Sequence, residues 1–226
     1  MLPRGRHALS REVVRASQRQ RLLEAAAAVA NQKGFAAMTI TDVVAQAGTS
    51  RRAFYDHFES KQECSLAAFT MIAEDLLRVT AERFDPSLDR AGRARIVIDS
   101  FLDYLVAHPV YAWFYFVDVN TIGAAGVARR HDVQRRIAEM IVALRTDVRR
   151  GQPEIPPLSD QHAHAIVGAV DHIVSQALHE RGPQRLGELS TELVPLVASL
   201  LGMATPTRKA PRARTTRPGP RPTSRR

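Results

Sequence analysis

The chain has 226 residues, 45% of them hydrophobic, with one cysteine and a formal net charge of +9. That apolar content can bury a sizeable core, which excludes global disorder, and a single thiol excludes an internal disulfide and a cysteine-only metal site. No run approaches the ~18 apolar residues of a membrane helix, and no apolar region follows the charges of "MLPRGRHALSREVV" as in a secretory signal, so a reduced, cytoplasmic protein is expected.

The charge is unevenly distributed. Residues 1–61 carry 10 Lys/Arg against 5 Asp/Glu, residues 62–207 carry 14 against 18, and residues 208–226 carry 8 against none. Two basic ends flanking a mildly acidic body point to a polyanionic partner for the ends. A solvated, solubilising tail would give part of the same pattern.

In chain order, the pattern is helical nearly throughout, with no sustained alternation of strand type. Arg4, Arg6, Arg11, Arg15, Arg19 and Arg21 precede or open the first helix, and a basic arm over 1–16 is placed to reach a minor groove, with a merely solvated arm as the alternative. Ser17 with Gln20 spells a capping box before "RLLEAAAAVANQKG", whose Leu22, Leu23, Ala26, Val29 and Ala30 make one apolar stripe ended by Gly34. Thr39 with Asp42 repeats the cap signal for a second short helix closed by Gly48. Ser50 caps a third, over 50–58, and Ser60 with Glu63 caps a fourth that runs to about Phe84. "DPSLDRAG" connects to a helix ending near His108-Pro109. A short aromatic helix follows in "VYAWFYFVD", then helices over about 126–150, 159–181 and 186–203, the last containing Pro195. Residues 204–226, rich in Pro, Arg and Thr, cannot bury a core and are expected to be disordered.

The stretch "TITDVVAQAGTSRRAFYDHFESK" (39–61) reads as a helix-turn-helix. Gly48 permits the left-handed backbone of a tight turn. Val43, Val44 and Ala47 face Phe54 and Phe58 across it. The second helix of such a unit enters the major groove. Arg51 and Arg52, at its start, suit the O6 and N7 of guanine. Thr39, Tyr55, His57 and Lys61 suit phosphates, which position without reading sequence, so Lys61→Ala is expected to weaken all sites alike and flatten the salt dependence.

The run from Arg21 to Phe69 resembles the DNA-binding domain of the tetracycline-repressor (TetR) family. The resemblance is carried by Gly34-Phe35, Thr39, Asp42, Ala47-Gly48, Ser50, Phe54-Tyr55, His57-Phe58 and Ser60-Lys61. It implies an all-α protein with a three-helix head over 17–60 and a larger helical domain over 61–203 that binds an effector and dimerises. It also implies phosphate contacts through Thr39, Tyr55, His57 and Lys61, and base contacts through Thr41, Arg51, Arg52 and Asp56, with Ser50 in the same surface. "RRA" at 51–53 departs from the family pattern, which places the chain's own DNA preference there.

In the body, 159–181 has one stripe of Ile166, Val170, Ile173 and Ala177 and a second of Val167, Val174 and Leu178. Residues 186–203 add Leu189, Leu193, Leu196, Val197 and Leu200. Helices apolar on two sides need two covers: either a partner copy, giving an intersubunit four-helix bundle, or the chain's own core. "HPVYAWFYFVDVN" (108–120) holds five of the 13 aromatics. Trp113, Phe114, Asp118 and Asn120 from it, with Tyr104, Met140, Leu144 and His172, form a candidate pocket for an apolar or amphipathic small molecule; core or subunit contact is the competing reading. His162 and His164 lie two apart, whereas zinc ligands on a helix come three or four apart, so no metal is expected. No P-loop, "GxSxG" or Cys/His pairing occurs, and neither catalysis nor a cofactor is expected. The sequence thus points to a homodimeric transcription regulator on a palindromic operator of double-stranded DNA, a repressor released by a small-molecule effector. An effector-independent DNA-binding scaffold is the alternative, and a metal-sensing regulator a third reading.

Overall fold

A computed structural model describes residues 11–85 and 87–202. Residues 1–10 of the expected arm and the expected tail lie outside the described residues. Among the described residues the chain is all-α. Nine helices run in order: α1 (Arg11–Ala37), α2 (Ile40–Gln46), α3 (Arg51–Tyr55), α4 (Lys61–Glu82), α5 (Arg90–Ala107), α6 (Pro109–Phe116), α7 (Ala124–Gly151), α8 (Asp160–Arg181) and α9 (Ser190–Leu200). Two 3-10 turns, Asp118–Ile122 and Pro183–Leu189, separate α6 from α7 and α8 from α9.

Three expected boundaries shift. The first helix begins at Arg11, so Ser17 and Gln20 lie inside it, and Gln20 donates to Glu24 one turn on at 2.8 Å. Residues 11–16, "REVVRA", contain no breaker, and a cap signal is only a local preference that a helix can run through. The third helix stops at Tyr55, with Asp56 as its C-cap, because the chain turns there to bring Phe58 back into the core. The last helix starts at Ser190. Gly182 at φ 78 and Pro183 open a 3-10 turn instead, in which positions three apart share a face, and Leu186 and Leu189 are both buried. Pro195 is accommodated inside α9.

The hub is α4, whose Ala68, Phe69, Ile72, Ala73 and Leu76 are buried. It packs against α1, α5, α6 and α7. Phe69 stacks on Tyr115 of α6 at 4.8 Å. The long helix of the head also rests on the body, since α1 contacts α6 and the 118–122 turn. On the other flank α5 packs on α9 and the 183–189 turn, and α7 pairs with α8. Gly126 lets α7 approach closely: a Cβ there would lie 2.0 Å from the Val119 carbonyl oxygen and 2.9 Å from Ile122 Cβ.

Candidate nucleic-acid interface

Local capping builds the head. Thr39 accepts from the Asp42 backbone N–H at 3.2 Å and donates its hydroxyl to the Asp42 carboxylate at 2.8 Å, which also accepts from the Thr39 backbone N–H. Lys33 of α1 pairs with Asp42 at 2.6 Å, and these bonds from Lys33 and Thr39 hold the carboxyl down at about 2. Ser50 accepts from Ala53 N–H at 3.1 Å and starts α3. Gly48, at φ 59, makes the turn between α2 and α3. Arg21 of α1 donates to the Ala47 carbonyl and so caps the end of α2.

Phe54 is fully buried and Phe58 nearly so, against Leu22, Leu23 and Val43. That fixes the roll of α3 and leaves Arg51, Arg52 and Tyr55 outward. Arg51 reaches to within 3.5 Å of the Thr41 hydroxyl, so the start of α3 and the exposed side of α2 form one continuous surface. Thr39, Thr41, Ser50 and Asp56 are exposed beside them. His57 is half-buried in the turn after α3. Burial first, then Arg15 and Arg19, press its imidazole below the usual histidine range.

Two of the expected phosphate ligands have other partners. The Lys61 ammonium donates to the carbonyls of Phe35, Ala36 and Met38 at 2.9, 3.2 and 2.7 Å, and lies 4.7 Å from the Phe35 ring centroid. An ammonium has three N–H donors, so all are engaged on the frayed end of α1. The single hydroxyl donor of Thr39 is likewise directed at Asp42. Cys64 is buried with its thiol pushed up to about 12 by burial, a small core residue with no exposed thiolate.

The expected pocket residues differ widely in exposure. Phe114 is fully buried, and Tyr104 is buried with its hydroxyl donating to Asp75 at 2.8 Å. Trp113 is half-buried beside the His179 ring. Met140 and Leu144 are exposed on α7, His172 on α8, and Asn120 turns its amide back onto the Phe116 and Val117 carbonyls. Asp118 is buried with one carboxylate oxygen unbonded, and burial lifts its carboxyl to about 6, with Asn31 of α1 pulling the other way. A cleft of about 490 Å³ lies where α1, α4 and the start of α6 meet, lined among others by Glu24, Ile72, Asp75, His108 and Tyr111. The α4 members of that lining include residues 71, 75 and 78, which recur at helical spacing.

Of the expected dimer residues, Ile166, Ala177, Leu193 and Val197 are buried within the chain, and so are Val174 and Leu178 of the second stripe. Val170, Ile173 and Leu196 are half-buried and Leu200 is exposed. Sequence reasoning missed a polar node between these helices. Arg130 of α7 pairs with Asp171 of α8 and donates to the Phe116 carbonyl at 2.8 Å, and Ser175 of α8 donates to that same carbonyl at 3.3 Å. Charged residues on a helix read as solvent-facing, and no spacing rule marks these.

Residues 22–68, the second half of α1 through the first turns of α4, match the family model of bacterial regulatory proteins, tetR family. The head is a TetR-type DNA-binding domain. It is similar to the HTH-type transcriptional activator FasR of Mycolicibacterium smegmatis, 27% identical over 103 residues, and the match spans 46% of this chain and only 47% of FasR. Among solved structures, the fatty acid degradation regulator FadR of Bacillus halodurans superposes with a TM-score of 0.71 at 15% identity over 82% of this chain and 95% of that one. FadR of Bacillus subtilis, in complex with stearoyl-CoA, gives 0.68 at 15% identity over 80% and 97%. At such identity these two establish the shared TetR-type fold. Among the described residues no helix is long and apolar enough to cross a membrane.

Proposed function

We propose that the protein is a homodimeric repressor that binds a palindromic operator through its head, about 17–60, and leaves it when an amphipathic small molecule enters its body, about 61–203. The observation that carries the reading is the exposed Arg51-Arg52 pair at the start of a helix whose opposite face is locked by buried Phe54. Tyr55, His57, Thr41, Ser50 and Asp56 flank it as further DNA contacts. Half-buried Val170, Ile173 and Leu196 with exposed Leu200 are the seam for a second copy, and two heads then read two half-sites about one helical turn apart. The effector class to test first is a long-chain acyl thioester, by analogy with the stearoyl-CoA complex of the Bacillus subtilis neighbour. Effector and operator are linked through two arrangements of the heads that each ligand favours differently. The basic tail adds non-specific affinity.

The closed packing around Phe114 and Tyr104 favours one second reading, a DNA-binding scaffold that answers to no effector. Selection on random duplex DNA, followed by titration of the selected complex with stearoyl-CoA, separates the two. One palindromic site released by the acyl thioester supports the repressor. Footprints on many unrelated sequences, unmoved by ligand, support the scaffold. Deleting 204–226 should lower affinity for random duplex and reduce its salt slope; no change in either removes the tail from the proposal.

A further inference from the structure

The first buried residue of α1 is Leu22, yet the helix begins eleven residues earlier, and nearly every residue before Leu22 is exposed. Those early turns add nothing to the head's core. They do form one wall of a cleft of about 430 Å³ whose other wall is the turn after the reading helix. Arg11, Val14, Arg15 and Gln18 stand on one side, Asp56 and His57 on the other. Arg15 donates to the Asp56 carbonyl at 3.3 Å, which fixes the two walls relative to each other and leaves the rest of its five-donor fork available. Arg19 lies 5.4 Å from the Phe58 ring centroid, one turn further along the same helix.

We propose that this cleft is a second phosphate seat of the DNA-binding head, in which Arg11 and Arg15 join His57, and that His57 holds the phosphate as an imidazolium. The proposal rests on the DNA-binding reading above and deepens it. The seat adjoins the C-terminal end of α3, so a helix lying in the major groove brings a backbone phosphate of the flanking strand to it. In the free protein the groups facing His57 are Arg15 and Arg19 from α1 and Asp56, the C-cap of α3; burial and the two arginines disfavour the charged ring, and Asp56 only partly opposes them. A phosphate between Arg11, Arg15 and His57 reverses that balance, because an adjacent anion favours the charged ring. Binding then takes up one proton per head. The sign follows: with the histidine pKa higher in the complex than in the free protein, affinity is greatest at low pH and falls as pH rises through the value in the complex. Arg11 and Arg15 are carried on a length of helix whose side chains the core does not bury.

The test is operator affinity by fluorescence anisotropy at fixed ionic strength, from about pH 6 to pH 8, the range a histidine near its ordinary value of ~6.5 spans. For the full chain, affinity should weaken as pH rises, by up to about tenfold per head per unit. His57→Gln should flatten the profile while leaving the fold intact by thermal melting. Arg11→Gln should reduce the salt slope by roughly one contact per head and lower the pH dependence, because the phosphate is held less firmly. A pH-independent affinity in the unaltered protein, or a profile unchanged in His57→Gln, overturns the seat while leaving DNA recognition standing. Failure to bind any duplex overturns both. The His57 ring resonances, titrated by NMR, should shift with duplex; an equal shift from inorganic phosphate alone would make the cleft a free-anion site and overturn its assignment to DNA.

Discussion

Replacing Lys61 with methionine keeps the apolar stem and removes only the ammonium. Three carbonyls at the end of α1 then lose their donor, two of them partly buried. A charge-assisted bond of this kind contributes about 1.5 kcal/mol at the low end, and water replaces the donor at the exposed Ala36 carbonyl. Loss of the contact with the Phe35 ring costs about 0.5–1 kcal/mol more. The sum, about 3.5–4 kcal/mol, shrinks to about 2–3 kcal/mol when the freed loop relaxes. For a chain of this size that lowers Tm by about 4–12 °C. Thermal unfolding followed by circular dichroism reads this, with Arg52→Gln, at an exposed position, as a control whose Tm should not move. Operator affinity in Lys61→Met should fall in proportion to misplacement of α2 and α3, with the salt slope retained. A variant with the Tm of the unaltered protein and a flattened salt slope would refute the reasoning and return Lys61 to the phosphate backbone.

Arg51→Ala should cost about 1–3 kcal/mol at one base pair and relax specificity there, read by repeating the duplex selection; an equal loss on every sequence would contradict base reading. Asp118 has its carboxyl raised to about 6 by burial, above the ~3.9 of an unfolded chain. Its charge therefore opposes folding above pH 6, and that opposition is relieved as pH falls from 6 toward 4. Asp118→Asn should raise Tm near pH 7.5 and flatten this part of the pH profile; a lower Tm at pH 7.5 would show that the charge is needed. Gly126→Ala drives a methyl into the Val119 carbonyl, a backbone atom that cannot swing aside. The variant should lose more than about 3 kcal/mol by denaturant unfolding, and a near-normal midpoint would mean that α7 shifts outward at little cost.

What the sequence by itself determined is the local chemistry of the head. The Thr39–Asp42 box, the Ser50 cap and the Gly48 turn are encoded within a few residues each, so spacing alone reveals them; Phe54 is buried from the short helix and Phe58 from the turn after it. The start of α1 was not legible, because a capping pattern at Ser17 does not stop a helix that six compatible residues precede. Neither was the partner of Lys61, since the carbonyls it binds lie 23 to 26 residues away. In the body the two apolar stripes of α8 were readable, but which of them faces inward depends on how α7, α9 and the 183–189 turn pack around it. The Arg130–Asp171 pair and the close approach at Gly126 exist only once α6, α7 and α8 meet. Local patterns specify elements and caps; long-range packing decides which donors are already taken and which arginines are left to meet DNA.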